Sequence, residues 1–169
     1  MSWSAPPGAR CPSGPAAGRY LVSVLRQIGY RASLRAITSP LTYWNTIDNS
    51  RNRIQVGEFR WSEDYPAPWD FFGPLLSCQS FLPGNPANLN DSEFCNPRID
   101  ARFQQALAAQ ARTPDAARLL WANIGREIAG QAPWVPLYNP RALIVLSARV
   151  GNYRFHPLWQ LLIDQLWVR

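Results

Sequence analysis

The sequence predicts an α/β fold with a mixed sheet flanked by helices. Helical and strand patterns alternate along the first part of the chain, with helices over 16–29 and 39–49 and strands over 30–37 and 53–61. Two capped helices follow further along. The 169 residues, 47% of them hydrophobic, are enough for one domain with a real core and few for two.

The first helix and the first strand meet across a single glycine. The helical pattern ends at Gly29, a residue type favoured just past a helix. The residues that follow alternate apolar with polar, which is typical of a half-buried strand. The apolar face of the helix consists of Tyr20, Leu21, Val24, Leu25 and Ile28, and that of the strand of Tyr30, Ala32, Leu34 and Ala36.

Capping residues mark the later helices. Ser39 with Pro40 predicts the start of the second helix, and Asn96-Pro97 and Thr113-Pro114 predict the starts of two more. Residues 132–140 then predict an extended run and residues 141–147 an apolar strand. The core-facing stripes of the last two helices are Ile99, Phe103, Ala106, Leu107 and Gln110 in one, and Ala117, Leu120, Ile124 and Ile128 in the other.

Charge and hydropathy argue against nucleic-acid and membrane partners. The formal net charge is +6, and all 17 basic residues are arginines that lie dispersed along the chain. A nucleic-acid-binding protein is expected to cluster them on one groove or helix face, so we expect no nucleic-acid partner. No apolar run approaches the roughly 18–20 residues that cross a bilayer, and the first 15 residues lack the pattern of a signal peptide.

The cysteines and the histidine do not have the spacing of a metal site. Cys11, Cys78, Cys95 and His156 match no zinc pattern, so we expect no metal. Cys78 and Cys95 flank a loop rich in turn-forming residues, which is compatible with a disulfide that closes this loop or with two separate buried thiols. Cys11 is left unpaired, and His156 is interpreted as a surface or packing residue.

Catalytic chemistry has little support in the sequence. No base is evident for a serine or cysteine nucleophile, and glycine-rich phosphate loops are absent. Paired carboxylates among Glu63, Asp64 and Asp70 are the only basis for an enzyme alternative. We therefore expect a protein that is not an enzyme, has no catalytic residues and uses no cofactor.

The stretch WSEDYPAPWDFF, residues 61–72, is the best binding candidate. From Trp61 to Pro97 the chain carries acids and no arginine, although the whole chain is basic. A carboxylate among aromatic rings suits an ammonium group. The stretch follows a predicted strand, at the end where open α/β sheets bind ligands. Trp61 and Asp64 are the binding candidates, whereas the later rings are expected to pack on the core.

Five segments, in this order, resemble the C-terminal part of the family 5 extracellular solute-binding proteins, the peptide-binding components of ABC importers. They are LVSVLRQIGYRASLR, the stretch 61–72, SEFCNPRIDARFQQAL, APWVPLYNP and RVGNYRFHP. The resemblance implies a periplasmic-binding-protein-like lobe, incomplete relative to the two-lobed family. It divides the chain into a flexible segment (1–16), a second-lobe domain (17–148) and a tail (149–169) that in relatives packs on the first lobe.

The resemblance also implies a function and a site. In peptide-binding members an Asp three residues after a Trp holds the ligand's α-amino group, which matches Asp64 after Trp61, and Tyr65 joins the pocket wall. Some relatives have a disulfide that matches Cys78 and Cys95. The implied partners are a peptide, an ABC permease with its ATPase and a missing first lobe, in an extracytoplasmic location. The alternative is a sensing or interaction module without transport.

Without a first lobe, the tail is expected to expose an apolar patch. Its residues are Leu158, Trp159, Leu162, Leu166 and Trp167.

Overall fold

The computed structural model describes residues 2–4, 15–139 and 143–169. Its helices are α1 (Pro15–Gln27), α2 (Pro40–Ile47), α3 (Trp69–Leu76), α4 (Pro97–Arg112) and α5 (Pro114–Gln131). Its strands are β1 (Ser2–Ser4), β2 (Ser33–Leu34), β3 (Val56–Gly57), β4 (Val150–Gly151), β5 (Phe155–His156), β6 (Gln160–Leu161) and β7 (Trp167–Val168). The α/β class is confirmed, and the parallel and antiparallel pairings lie in separate small sheets.

A parallel sheet in the order β2-β1-β3 organises the first part of the chain. Its central strand is β1, which lies within the segment 1–16 that the sequence predicts to be flexible. Cys11 and the rest of 5–14 lie outside the described residues. The strands β2 and β3 are much shorter than the predicted runs 30–37 and 53–61, because the strand that both of them pair with has 3 residues.

Helix α1 covers this sheet. The core here consists of Val22 and Ala32, with Leu21, Leu25, Leu34 and Val56 packed around them. Gly29 follows the helix with φ +93°, and the N–H of Tyr30 closes the helix end on the carbonyl of Leu25 at 3.0 Å. Tyr20 and Ile28, predicted on the apolar face, are 72% and 66% exposed, because the face that meets the sheet is centred on Val22.

Helices α4 and α5 form an antiparallel pair with α3 against it. Their shared core consists of Leu75, Leu76, Ile99, Phe103, Ala106, Ala117, Trp121, Ile124 and Ile128. Phe72 of α3 stacks on Phe103 at 5.7 Å and on Trp121 at 5.9 Å between ring centroids. Across the pair, Glu127 binds Arg98 at 2.9 Å and also binds Arg102. The predicted packing role of the later rings is confirmed for Phe72 and for Trp69, which packs on Phe103.

Two of the three predicted helix caps form. The side-chain oxygen of Ser39 accepts a hydrogen bond from the N–H of Thr42, and that of Asn96 accepts from Arg98 and Ile99. Helix α5 starts at Pro114 as predicted, but the Thr113 side chain makes no capping bond. Thr113 also terminates α4, where its N–H binds the carbonyl of Ala109, and this shared position gives it φ −143° and ψ 83°.

Helix α3 is absent from the sequence-based prediction, which has no helix after residue 61 until Asn96. Its eight residues include Pro74, a residue type that normally interrupts helices. Gly73 is required inside it, because a Cβ there would lie 2.6 Å from the Trp69 ring.

The end of the chain forms two small antiparallel sheets, β4 with β7 and β5 with β6. The predicted strand 141–147 does not form over its described part, 143–147, where no strand lies alongside it. His156, predicted to be a surface or packing residue, lies in a local turn, where its Nδ1 accepts hydrogen bonds from the N–H groups of Leu158 and Trp159 at 3.2 and 3.1 Å.

Candidate functional site

The candidate site begins where β3 ends. Beyond Gly57, the buried Tyr43 of α2 fixes the backbone of Glu58: its hydroxyl accepts from the Glu58 N–H at 2.9 Å and donates to the Glu58 carbonyl. The side chains of residues 58–61 then pair in alternation along the chain. Phe59 stacks on Trp61, and Glu58 pairs with Arg60 at 3.8 Å. The sheet and α2 together therefore set the direction in which the chain enters the stretch 61–72.

Asp70 holds that stretch in place. It lies in the first turn of α3 and is only 3% exposed. Its Oδ2 accepts one hydrogen bond from the Asp64 backbone N–H at 2.9 Å and another from the Trp61 indole N–H at 3.3 Å. One buried carboxylate thus brings Trp61 and Asp64 together, and the buried oxygen that accepts both bonds is satisfied.

Asp64 itself points into solvent. Its side chain is exposed, and within the described ranges its carboxylate has no hydrogen-bond or ion-pair partner. Tyr65 next to it is 45% exposed. Burial and, after it, the negative charges of Asp70 and Asp64 raise the pKa of the Tyr65 hydroxyl. The three predicted ligand-binding residues therefore lie together, around an accessible negative charge.

An aromatic row lies beside them. Phe59 stacks on Trp61 with centroids 6.2 Å apart and planes at 12°, and on Trp134 at 6.1 Å and 27°. All three rings are partly buried against the core. The sequence prediction includes Trp61 and misses the other two. The sequence near Trp61 could have indicated Phe59, since Phe59 precedes Trp61 by two residues in an extended run. Trp134 lies 73 positions after Trp61, and no local pattern links the two.

A disulfide joins Cys78 to Cys95, as the resemblance implies, and closes the loop that follows α3. Two buried asparagines organise this loop. Asn90 donates to the carbonyls of Ser77 at 3.1 Å and Phe94 at 2.8 Å, and Asn88 accepts from the N–H of Leu82 at 2.9 Å. The disulfide and these hydrogen bonds therefore fix the conformation of the loop.

Two carboxyl groups face each other where this loop meets the end of α2. Both carboxylate oxygens of Asp91 are buried, and while both carboxyl groups are ionised they have no hydrogen-bond partner among the described residues. Burial, and then the charge of Asp48, raise the pKa of Asp91 to about 8. Burial also raises the pKa of Asp48 to about 6, although its hydrogen bond with Asp91 opposes that rise. Both carboxyl groups therefore favour the protonated form more than an exposed aspartate does.

Clusters of metal-ligating side chains and membrane-spanning helices were sought among the residues that the structure describes. No three His, Cys, Asp or Glu side chains come together there in a way that could hold a metal ion. None of the described helices has both the length and the apolarity of a membrane span. Asp70 is one of the three carboxylates that the enzyme alternative would use. It is buried and accepts hydrogen bonds from the stretch 61–72, so its position fits a structural role in holding that stretch.

Two solved structures share this fold across essentially the whole chain. A dipeptide-binding protein from Pseudoalteromonas sp., in complex with Met-Leu, has a TM-score of 0.78 and 23% identity, covering 100% of this chain and 32% of its own. A periplasmic binding protein associated with an ABC transporter from Helicobacter pylori, in complex with the peptide STSA, has a TM-score of 0.80 and 15% identity, covering 99% and 31%.

Two curated proteins match at the sequence level. A probable di/tripeptide-binding protein of Pseudomonas aeruginosa is 26% identical over 156 residues, which are 92% of this chain and 28% of that protein. The resemblance to peptide-binding solute-binding proteins is confirmed. The heme-binding protein A of Haemophilus influenzae is 31% identical over 128 residues, 72% of this chain and 22% of that protein. No family model matches the chain.

This chain matches only one part of each solute-binding protein that it resembles. This chain spans less than a third of the length of each of these four relatives, at most 32%. Each of the four is described as a binding protein. The chain therefore has the fold of one part of such a protein.

Proposed function

We propose that this chain provides one half of a binding site for short peptides, in a two-lobed receptor that delivers them to an ABC permease and its ATPase. One observation carries the proposal: the exposed, unpaired carboxylate of Asp64 lies next to the half-buried indole of Trp61, and both are held by Asp70. Asp64 binds the α-amino group of the peptide. Trp61 and Tyr65 form the wall beside it.

The chemistry of this arrangement favours a cation. An ammonium group at Asp64 gains a charge-assisted hydrogen bond, and the face of a neighbouring indole or phenol adds cation–π attraction. Because Asp70 already holds the Asp64 backbone and the indole, little ordering of the site is needed when the ligand binds. The solved relatives with this fold were bound to Met-Leu and to STSA, which are both peptides.

The other lobe and an extracytoplasmic location belong to the same proposal. The chain spans about a third or less of its relatives, so a first lobe has to supply the opposite half of the site. The Cys78–Cys95 disulfide favours an oxidising compartment. The alternative, a sensing module without transport, keeps the same ligand site and lacks the permease.

Heme, the ligand named for one relative, fits this site less well. The carboxylates of Asp64 and Asp70 make the site negative, and their charge adds to burial, the larger cause, in raising the pKa of Tyr65. A negative site attracts an ammonium group and repels the carboxylates that heme carries. The proposal is therefore for peptides.

Isothermal titration or NMR titration of the 169-residue chain tests the role of Asp64. The ligands are a tripeptide with a free amine and the same tripeptide acetylated at its N-terminus. The substitution Asp64→Asn is expected to weaken binding of the free amine by about tenfold or more, the usual size of a lost charge-assisted hydrogen bond. Binding of the acetylated peptide should be weak and unchanged by the substitution.

Glu63→Gln is the matched control, because it removes one negative charge from the adjacent residue. It should reduce the affinity much less than Asp64→Asn. Equal affinities of Asp64→Asn and the unsubstituted chain for the free amine would remove Asp64 from the site.

A further inference from the structure

A crevice between α3 and the start of α4 carries an inference that goes beyond the proposed function and does not depend on it. We propose that this crevice is a second binding site, which takes the guanidinium group of an arginine side chain or of a small free guanidine. The predicted ligand-binding residues Trp61, Asp64 and Tyr65 are not part of it. The side chains that line it include those of Trp69, Ser77, Gln79, Asp100, Phe103 and Gln104.

The size of the crevice limits what it can hold. Its volume is about 170 Å³, whereas pockets for drug-sized ligands have about 300–1,000 Å³. The buried Phe103 and Ser77 lie at its inner end, and the exposed Gln79 and Gln104 lie at its mouth. The crevice therefore holds one small group, such as the end of a side chain.

One wall of the crevice is the indole of Trp69, which is held rigidly. A Cβ at Gly73 would lie 2.6, 2.8 and 3.0 Å from three atoms of this indole, so the ring lies directly on the helix backbone. Phe103 meets it in a T-shaped arrangement, with centroids 5.5 Å apart and planes at 72°. Because the Trp69 side chain is only half-buried, the fixed ring keeps accessible surface on which a planar cation can stack.

The charge of the crevice comes from Asp100, a half-buried carboxylate in the first turn of α4. Its two oxygens accept from a single donor, the N–H of Cys78, at 3.1 and 3.3 Å, although an ionised carboxylate has about four acceptor positions. No arginine within the described ranges pairs with it, since Arg98 and Arg102 of the same helix bind Glu127 instead. The carboxylate is therefore available to a cation that enters the crevice.

The two glutamines favour a guanidinium over an ammonium group. In the part of the chain that the structure describes, the side chains of Gln79 and Gln104 make no hydrogen bonds, so both amide oxygens can accept from a ligand. A guanidinium is planar and has five N–H donors in a fixed fork, which suits a carboxylate, two amide oxygens and an indole together. An ammonium group has three donors and no flat face, and an anion is repelled by Asp100.

NMR titration of the 169-residue chain, observed at the indole N–H signal of Trp69, tests this inference. The variant Trp69→Phe identifies the signal. The probes are methylguanidinium, N-acetyl-arginine amide and methylurea, which is planar like methylguanidinium but uncharged. Both cations should shift the signal with saturation in the millimolar range, as expected for so few atoms in contact, and methylurea should not. Tighter binding of N-acetyl-arginine amide identifies an arginine side chain as the ligand, and tighter binding of methylguanidinium a free guanidine.

Two substitutions test the lining of the crevice. Asp100→Asn removes the charge and keeps an oxygen for the N–H of Cys78, and it is expected to weaken binding of both cations by about tenfold or more, the usual size of a lost charge-assisted hydrogen bond. Gln104→Lys places an ammonium group at the mouth of the crevice and should abolish binding. Position 104 is exposed on α4, so this substitution leaves the core intact.

Gln105→Lys is the matched control, because it makes the same change of charge at the next exposed position of α4, outside the crevice. It should leave the affinity for methylguanidinium within about twofold, since exposed charges are screened by solvent. Equal responses of the Trp69 signal to methylguanidinium and methylurea overturn this inference, as do equal affinities of Gln104→Lys and Gln105→Lys. Either result leaves the proposed function standing, and Asp64→Asn should not change the affinity of the crevice.

Discussion

At Asp70, one buried side chain arranges two others. From the sequence, Asp70 is one of three possible catalytic carboxylates, and in the structure it accepts from two N–H donors of the loop that it supports. The residues that meet the ligand in the proposed function, Asp64 and Trp61, are thus distinct from the residue that positions them. Both Asp64 and Tyr65 remain exposed, as a binding role requires.

The Asp48–Asp91 pair predicts how stability varies with pH. The pKa of Asp91 is raised from 3.8 to about 8 in the folded chain, so the folded state binds a proton that the unfolded state releases. This contribution to stability is complete below pH 4 and is lost as the pH rises to about 8. Asp48, with its pKa raised to about 6, acts in the same direction. Glu58 and Tyr43 are the other titratable groups nearby, and burial raises the pKa of Tyr43 further above its usual value.

Asp91→Asn is therefore expected to raise the free energy of unfolding at pH 8 by about 1–3 kcal/mol, since the amide donates to Asp48 and removes a buried like charge. At pH 5 the gain should be smaller. Urea denaturation at the two pH values measures this difference. Glu93→Gln, an exposed acid on the same loop, serves as the control. A gain that does not depend on pH would contradict the raised pKa of Asp91.

Among the elements, the loop between Cys78 and Cys95 combines a covalent bond with buried asparagines. The disulfide spans 17 positions, and the side chains of Asn88 and Asn90 satisfy backbone groups inside the loop. The loop also supplies Asp91 to the carboxyl pair. It therefore links α3, α4 and the end of α2.

The double substitution Cys78→Ala with Cys95→Ala is expected to lower the free energy of unfolding by about 3 kcal/mol, because an uncrosslinked loop of this length has more entropy in the unfolded chain. Chemical denaturation with and without reductant measures the loss. Cys11→Ala is the control. A reductant that leaves the unfolding midpoint of the unsubstituted chain unchanged would contradict the expectation.

At the scale of the whole molecule, the tail exposes apolar side chains in part as predicted. Trp159 and Trp167 are 68% and 46% exposed, and Ile163 and Val168 add to them at 73% and 67%. Leu158, Leu162 and Leu166 are only half-buried. This is a substantial apolar surface for a chain that spans less than a third of its relatives.

The isolated chain is therefore expected to bind a hydrophobic dye and to associate as its concentration rises. The double substitution Trp159→Glu with Ile163→Glu should reduce both effects. Leu119→Glu, at an equally exposed position on α5, should reduce them much less. Light scattering and dye fluorescence measure these outcomes. A monomer with low dye binding at all concentrations would refute the expectation.

Local chemistry in the sequence was enough to determine much of this protein. Ser39, Asn96 and Gly29 mark helix ends because capping depends on a few neighbouring residues. The stripe of Ile99, Phe103 and Ala106 is buried because helical periodicity fixes which side chains share a face. The stretch 61–72 could likewise be chosen from its acids and rings, since both are concentrated in it.

Only the tertiary structure decided the rest. Strand lengths depend on the partner strand, and β1 came from a segment with no strand pattern. The bonds from Trp61 and Asp64 to Asp70, and the contact of Phe59 with Trp134, join residues whose approach depends on how α3 and the 132–139 run pack. Sequence periodicity reports the face of one element, whereas a binding site is made where several elements meet.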